Sequence, residues 1–219
     1  MSYYLNSLRE NLTKALRDCE PPATPTKRQA GVNKAYQVLE SWKAYMEENE
    51  ADDIPDTVCY IPKVQPGNAP FAQQFIPIAN ALEITFYRAQ IEIHRAGSVK
   101  EPSSWIVRKN DIRCMGNAGN ESSDEEEYDE EDLEFDLVDE EDFRIVSIAT
   151  LDGVPLNDLA DSFIRQEDII PENYEKFLGV PNKIETIGLE DGFEDGVAMG
   201  HWYNRSALVF ALRGAPTVV

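Results

Sequence analysis

The sequence predicts an α+β fold, with N-terminal helices packed on a mostly antiparallel sheet. Three observations carry this. Apolar residues recur at helical spacing in two stretches of the first 48 residues. From Glu83 onward the apolar residues are mainly β-branched or aromatic and fall in short runs. The chain has 219 residues, 42% of them hydrophobic, which suffices for one sizeable core.

The first helix is expected over Tyr3 to Asp18, where Leu5, Leu8, Leu12, Ala15 and Leu16 form a stripe. Glu20-Pro21-Pro22-Ala23-Thr24-Pro25-Thr26 ends it and reads as non-helical. A second helix is expected from about Ala30 to Glu48, with Val32, Ala35, Tyr36, Leu39, Trp42 and Met46 on one face. Cys59 to Pro70 reads as loop, and Phe71 to Leu82 as one short helix despite Pro77. Glu83 to His94 reads as strand, Arg95-Ala96-Gly97-Ser98 as the turn after it, and Trp105 to Arg108 as a short strand. Asp142 to Thr150 is the clearest strand, followed by a turn at Leu151-Asp152-Gly153. Leu159 to Arg165 and Pro171 to Phe177 read as short helices, the second with proline at its first position. Gly192 and Gly196 bracket a loop leading into a final strand. The domain reading is an N-terminal helix and Pro-rich linker over residues 1–29, then one α+β domain over 30–219.

Net charge is −21, but it is concentrated. Glu121 to Asp142 hold fifteen acids and no base, so the remainder carries only −6. Such acidity argues against nucleic acid and anionic membranes as partners. The acidic insert, at about 117–141, is expected to self-repel and stay disordered. Its functional reading is a docking strip for a basic protein, with Tyr128, Leu133, Phe135, Leu137 and Val138 as apolar punctuation. Ser122 and Ser123 precede a run of acids and are candidate phosphorylation sites.

Cys19, Cys59 and Cys114 are far apart and form no Cys-x-x-Cys, which excludes zinc and disulfide frameworks as expectations. With no signal-peptide core and no run of about 18 apolar residues, an intracellular protein is expected, cytoplasmic or nuclear. The sequons at Asn11, Asn120 and Asn204 then carry no meaning. Asp191-Gly192-Phe193-Glu194-Asp195-Gly196 lacks the Asp spacing of a calcium loop and reads as two turns. Gly116-Asn117-Ala118-Gly119 lacks the Lys-Ser/Thr of a phosphate loop.

The only two histidines are His94 and His201. A non-haem iron site places two histidines and one carboxylate on one face of the metal, usually through His-x-Asp/Glu. Ala96 and Tyr203 stand two residues after the histidines, so neither makes the motif. His94 reads as a strand-end surface residue and His201 as a loop-to-strand residue.

Four pieces of the chain resemble the C-terminal region of fungal 2-oxoglutarate/Fe(II) dioxygenase-like proteins related to prolyl 4-hydroxylases. They are Leu39-Glu40-Ser41-Trp42-Lys43 with Ile54-Pro55-Asp56 and Tyr60, and Tyr87-Arg88-Ala89-Gln90-Ile91-Glu92 with Gly97. An acidic insert then precedes a strand and Leu151-Asp152-Gly153. The last piece, Trp202-Tyr203-Asn204-Arg205-Ser206-Ala207-Leu208-Val209, is similar to the family's Trp-Tyr-x-Arg-Ala-Ala-Leu-Val signature. Together they cover about Ala30 to Leu212. The family's Tyr-Thr-Gly-Asn-Glu-Gly is replaced by Phe193-Glu194-Asp195-Gly196-Val197-Ala198-Met199-Gly200, and the upstream domain with His-x-Asp is absent.

The resemblance implies ancestry in that family and a sheet that is a degenerate relative of the double-stranded β-helix. It makes Trp202, Tyr203 and Arg205 signature residues. In active members a late-strand arginine grips the far carboxylate of 2-oxoglutarate. Arg205 is therefore the candidate co-substrate residue, and pairing with a nearby carboxylate is its structural alternative. The second iron histidine would fall near Glu194 or Asp195, and neither is a histidine. The leading expectation is a non-catalytic interaction domain or fragment needing no cofactor. The alternatives are a dioxygenase using Fe(II) and 2-oxoglutarate, or part of one, and an acidic chaperone-like binder of basic proteins.

Overall fold

A computed structural model describes residues 3–49, 57–64, 68–99, 135–187 and 197–212. Helices lead and strands follow, giving the expected α+β architecture. Helix α1 spans Tyr3–Cys19 and α2 spans Pro25–Glu48. Strand β1 (Thr57–Tyr60) precedes α3 (Asn68–Gln73) and α4 (Ile76–Leu82). Then come β2 (Thr85–Val99), β3 (Phe135–Thr150), β4 (Ile169–Ile170), β5 (Lys183–Ile187) and β6 (Val197–Ala211). The described strands form one open sheet in the order β3-β2-β6-β1-β4, with β5 also on β6. Strand β1 pairs with β4 in parallel and with β6 antiparallel, and β5 pairs antiparallel with β6. A double-stranded β-helix needs two facing sheets, so the described residues follow the plain α+β expectation instead.

The chain divides into two compact units. One comprises Met1–Ile93, Asp142–Gly179 and Asn204–Val219; the other comprises His94–Glu141 and Val180–Tyr203. Strands β2, β3 and β6 each contribute residues to both.

The first unit holds the helical core. Leu5, Leu12 and Leu16 of α1 and Leu39, Trp42 and Met46 of α2 are all buried in it. Gly31 lets the two helices approach closely, since a Cβ there would lie 2.7 Å from the Cys19 sulfur. An aromatic series continues the core: Phe71–Phe75, Phe75–Phe86 and Phe86–Phe210, at centroid separations of 5.5, 6.0 and 4.9 Å. Burying each such side chain contributes on the order of 1.5–3 kcal/mol.

Several elements differ from the sequence expectation, each for a local reason. Helix α2 starts at Pro25, inside the segment read as non-helical. Thr24 caps it, its hydroxyl accepting from the Lys27 amide at 3.3 Å, and proline suits the first turn because its missing N–H has no partner there. The single helix expected over Phe71 to Leu82 is two. Pro77 lies in the first turn of α4, and Phe75 ends the preceding turn by donating to the Ala72 carbonyl. Residues 57–60, partly read as loop, form β1, antiparallel to β6 with Cys59 opposite Val209.

The turn expected at Arg95–Ser98 is strand. Gly97 has no Cβ because one would lie 2.0 Å from the Leu137 carbonyl oxygen, so it marks a close approach between strands and not a reversal. The acidic insert was expected to run to 141, but Phe135–Glu141 already belong to β3. Residues 117–134 lie outside the described residues, as do Trp105 to Arg108 and the loop at Gly192 and Gly196. The short helices expected after β3 are 3₁₀ turns at Asn157–Leu159, Gln166–Asp168 and Tyr174–Phe177.

Candidate functional site

Arg205 lies on β6 in the first unit and is buried. Its Nη2 donates to the carbonyls of Pro62 at 3.1 Å and Lys63 at 3.4 Å, and its Nη1 to that of Leu178 at 3.4 Å. Backbone carbonyls, not the expected carboxylate, receive the guanidinium. Burial pushes its pKa down, and the nearby Glu20 charge opposes that shift.

Glu20 completes this arrangement from the end of α1. It is buried and accepts from the Lys63 amide at 3.2 Å, the Val64 amide at 3.2 Å and the Tyr60 hydroxyl. Burial and the Glu20 carboxylate push the Tyr60 phenol far up, so it stays a donor. Arg205 holds the carbonyls and Glu20 the amides of the stretch after β1. Buried backbone polar groups in an irregular stretch need such partners. The arrangement therefore fixes chain direction after β1.

Trp202 and Tyr203 lie in the second unit with both histidines. Neighbours on a strand point to opposite faces. On one face His94 of β2 stacks on Trp202, with centroids 4.4 Å apart and planes 22° apart. Lys183 of β5, directly opposite Trp202, places its Nζ 4.6 Å from the indole centroid. Strands β5 and β2 flank β6, so the cation and the imidazole reach Trp202 from opposite sides. Gly200 leaves room for this row, since a Cβ there would lie 2.7 Å from the indole.

On the other face the His201 Nδ1 is 3.2 Å from the Tyr203 hydroxyl. Arg95 of β2 binds Glu141 of β3 at 2.7 Å, with both side chains largely shielded. Burial lowers the His201 pKa, and the Arg95 charge lowers it further. Burial raises the Tyr203 pKa while Arg95 opposes the shift. His94 lies within β2 rather than at its end, and His201 is a buried strand residue rather than an entry position. The chain's two histidines thus project from opposite faces of the sheet.

Cys19 and Cys59 are free, buried thiols. Burial pushes Cys19 up to about 12 and Cys59 higher still, so neither is a ready nucleophile. Among the described residues no group of three His, Cys, Asp or Glu side chains could hold a metal ion. Ser122, Ser123, Cys114 and the Asp191–Gly196 loop lie outside the described residues. No helix among the described residues is long and apolar enough to cross a membrane.

The sequence reading missed Glu20. Its signal was an acid at a helix C-terminus, where the macrodipole favours bases. It also missed Arg9, which interrupts the α1 apolar stripe four residues after Leu5 and is itself buried. No family model, curated protein or solved structure matches the chain.

Proposed function

We propose that this chain is a non-catalytic protein-interaction domain, descended from oxygenase-like fungal proteins, whose partner is a basic protein. One observation supports it above the others. The residues that iron and 2-oxoglutarate chemistry would require are engaged or separated. Arg205 gives its donors to three backbone carbonyls, and His94 and His201 lie on opposite faces of a strand pair. One metal cannot take both imidazoles without breaking that sheet.

The partner's character follows from the fifteen acids between Glu121 and Asp142. Asp139, Glu140 and Asp142 are exposed positions on or beside an outer strand, so they are available to a cation-rich surface. Electrostatic attraction of this kind sets the association rate and weakens with salt.

Two measurements test the reading. Fe(II) with 2-oxoglutarate in excess should leave the melting temperature unchanged; a rise of several degrees supports the dioxygenase alternative. Purified core histones serve as the basic probe. Binding should weaken at least tenfold when residues 121–134 are deleted and Asp139, Glu140 and Asp142 are neutralised together. Equal affinity before and after sinks the basic-partner assignment.

A further inference from the structure

We infer that the first unit carries an oxyanion pocket for a phosphate monoester, between α1 and the stretch after β4. A cavity of about 340 Å³ is lined by Arg9, Thr13, Lys14 and Arg17 on α1 and by Pro171 and Asn173 opposite. Arg9, Thr13 and Arg17 recur every four residues and so form one stripe along the helix.

The charge pattern of this stripe runs against the rest of the chain. The protein has 41 acids against 20 lysines and arginines, so a basic side chain ordinarily finds a carboxylate. Among the described residues, no carboxylate lies within salt-bridge distance of Arg9 or Arg17, although the charges of Glu172, Asp168 and Glu167 act on Arg9 from further away. Arg9 is only 4% exposed and donates to the carbonyls of Glu167 and, at 2.8 Å, Ile169. Its Nε is buried with no hydrogen-bond partner. Arg17 makes one bond, to the Asn173 carboxamide oxygen at 3.2 Å, and lies 5.2 Å from the Phe177 centroid. Lys14 is mostly exposed and pairs with Glu10 at 3.7 Å.

The Arg17 guanidinium, the Lys14 ammonium and the Asn173 carboxamide supply donors for a tetrahedral oxyanion, while Arg9, whose own donors hold carbonyls, adds positive charge behind them. Glu10 and Glu172 also line the cavity. They repel additional negative charge and so disfavour polyphosphates. The volume exceeds a bare phosphate and leaves space for the esterified group. The source is either a small phosphorylated molecule or a phosphorylated residue of a partner. The pocket uses no residue of the acidic segment, so the proposal does not depend on the interaction reading above.

The test uses the full chain with inorganic phosphate, against chloride at matched ionic strength, followed by amide NMR shifts and calorimetry. Shifts should centre on Thr13, Arg17 and Asn173. Lys14→Gln and Arg17→Gln should each weaken phosphate binding about tenfold, the scale of one charge-assisted bond. Both side chains are at least partly exposed, and circular dichroism checks that the variants fold. Glu10→Gln should act oppositely and tighten binding about two- to threefold, because it removes a repelling charge and releases Lys14. A phosphoserine peptide binding more tightly than inorganic phosphate points to a modified partner; equal or weaker binding points to a small ligand. Absence of phosphate-specific shifts, shifts centred elsewhere, or indifference to all three substitutions overturns the pocket.

Discussion

The two units use buried polar groups differently. In the first, Arg9, Glu20 and Arg205 reach irregular backbone: Arg9 the stretch before β4, Glu20 and Arg205 the stretch after β1. In the second, side chains meet side chains: Arg95 with Glu141 and His201 with Tyr203, and nearer the surface Lys183 and His94 with Trp202. The first unit has such pairs too, Tyr60 with Glu20 and Arg165 with Asp168. Backbone never changes its charge near neutral pH, whereas some of these partner side chains do. Near neutral pH the first unit should therefore respond mainly to loss of packing, and the second to protonation of His201.

The largest effect should come from the apolar core of the first unit. Trp42 is fully buried among α1 and α2 residues. Trp42→Ala should destabilise by about 3–5 kcal/mol, read from denaturant unfolding. A loss below 1 kcal/mol would show that the helices contribute little to the cooperative core and would collapse the contrast. Arg205→Met comes next. It keeps bulk but leaves the carbonyls of Pro62, Lys63 and Leu178 without their donor, which should cost about 2–3 kcal/mol. That cost should be independent of pH between 6 and 8, because the guanidinium stays charged across the range even with its lowered pKa. A pH-dependent loss would mean that Arg205 answers a titrating partner, as side chains of the second unit do.

What was legible in the sequence divides along similar lines. The stripes at Leu5 to Leu16 and Val32 to Met46 and the apolar strand before Leu212 gave the helices, the final strand and much of the core, because burial imposes periodicity on sequence. Errors fell where one residue has two structural uses. Pro25 and Pro77 break a helix internally but open one at its first turn, and the difference lies in the hydrogen bonds of neighbours. Gly97 can signal a turn or a close approach, and only the position of Leu137 distinguishes them. The placement of the histidines was beyond reach. Their separation depends on which strand lies beside β6, and strand order is set by long-range pairing that no local pattern encodes. Arg205 was correctly placed on a strand, but its carbonyl partners are 142, 143 and 27 residues away in sequence.

The smallest predicted effect is the most direct test of the contrast. Burial and Arg95 hold the His201 pKa below its ordinary 6.5, so the folded state prefers the neutral ring. Above about pH 7.5 the ring is neutral in both states and makes no difference. As pH falls below that value, the unfolded chain takes up a proton that the folded chain resists, and stability declines until the folded pKa is passed. Asp168 in the first unit has the opposite sign. Burial raises its pKa despite the Arg165 ion pair, so its contribution is fullest below its ordinary 3.8 and declines as pH rises through the folded value. Subtracting the unfolding free energy of His201→Gln from that of the unaltered chain, from pH 5 to 8, isolates the histidine from the acidic segment's own titration. The difference should be level above about pH 7.5 and should fall on the acid side; a difference that stays level or climbs toward low pH would show that the second unit does not shield His201 from protonation.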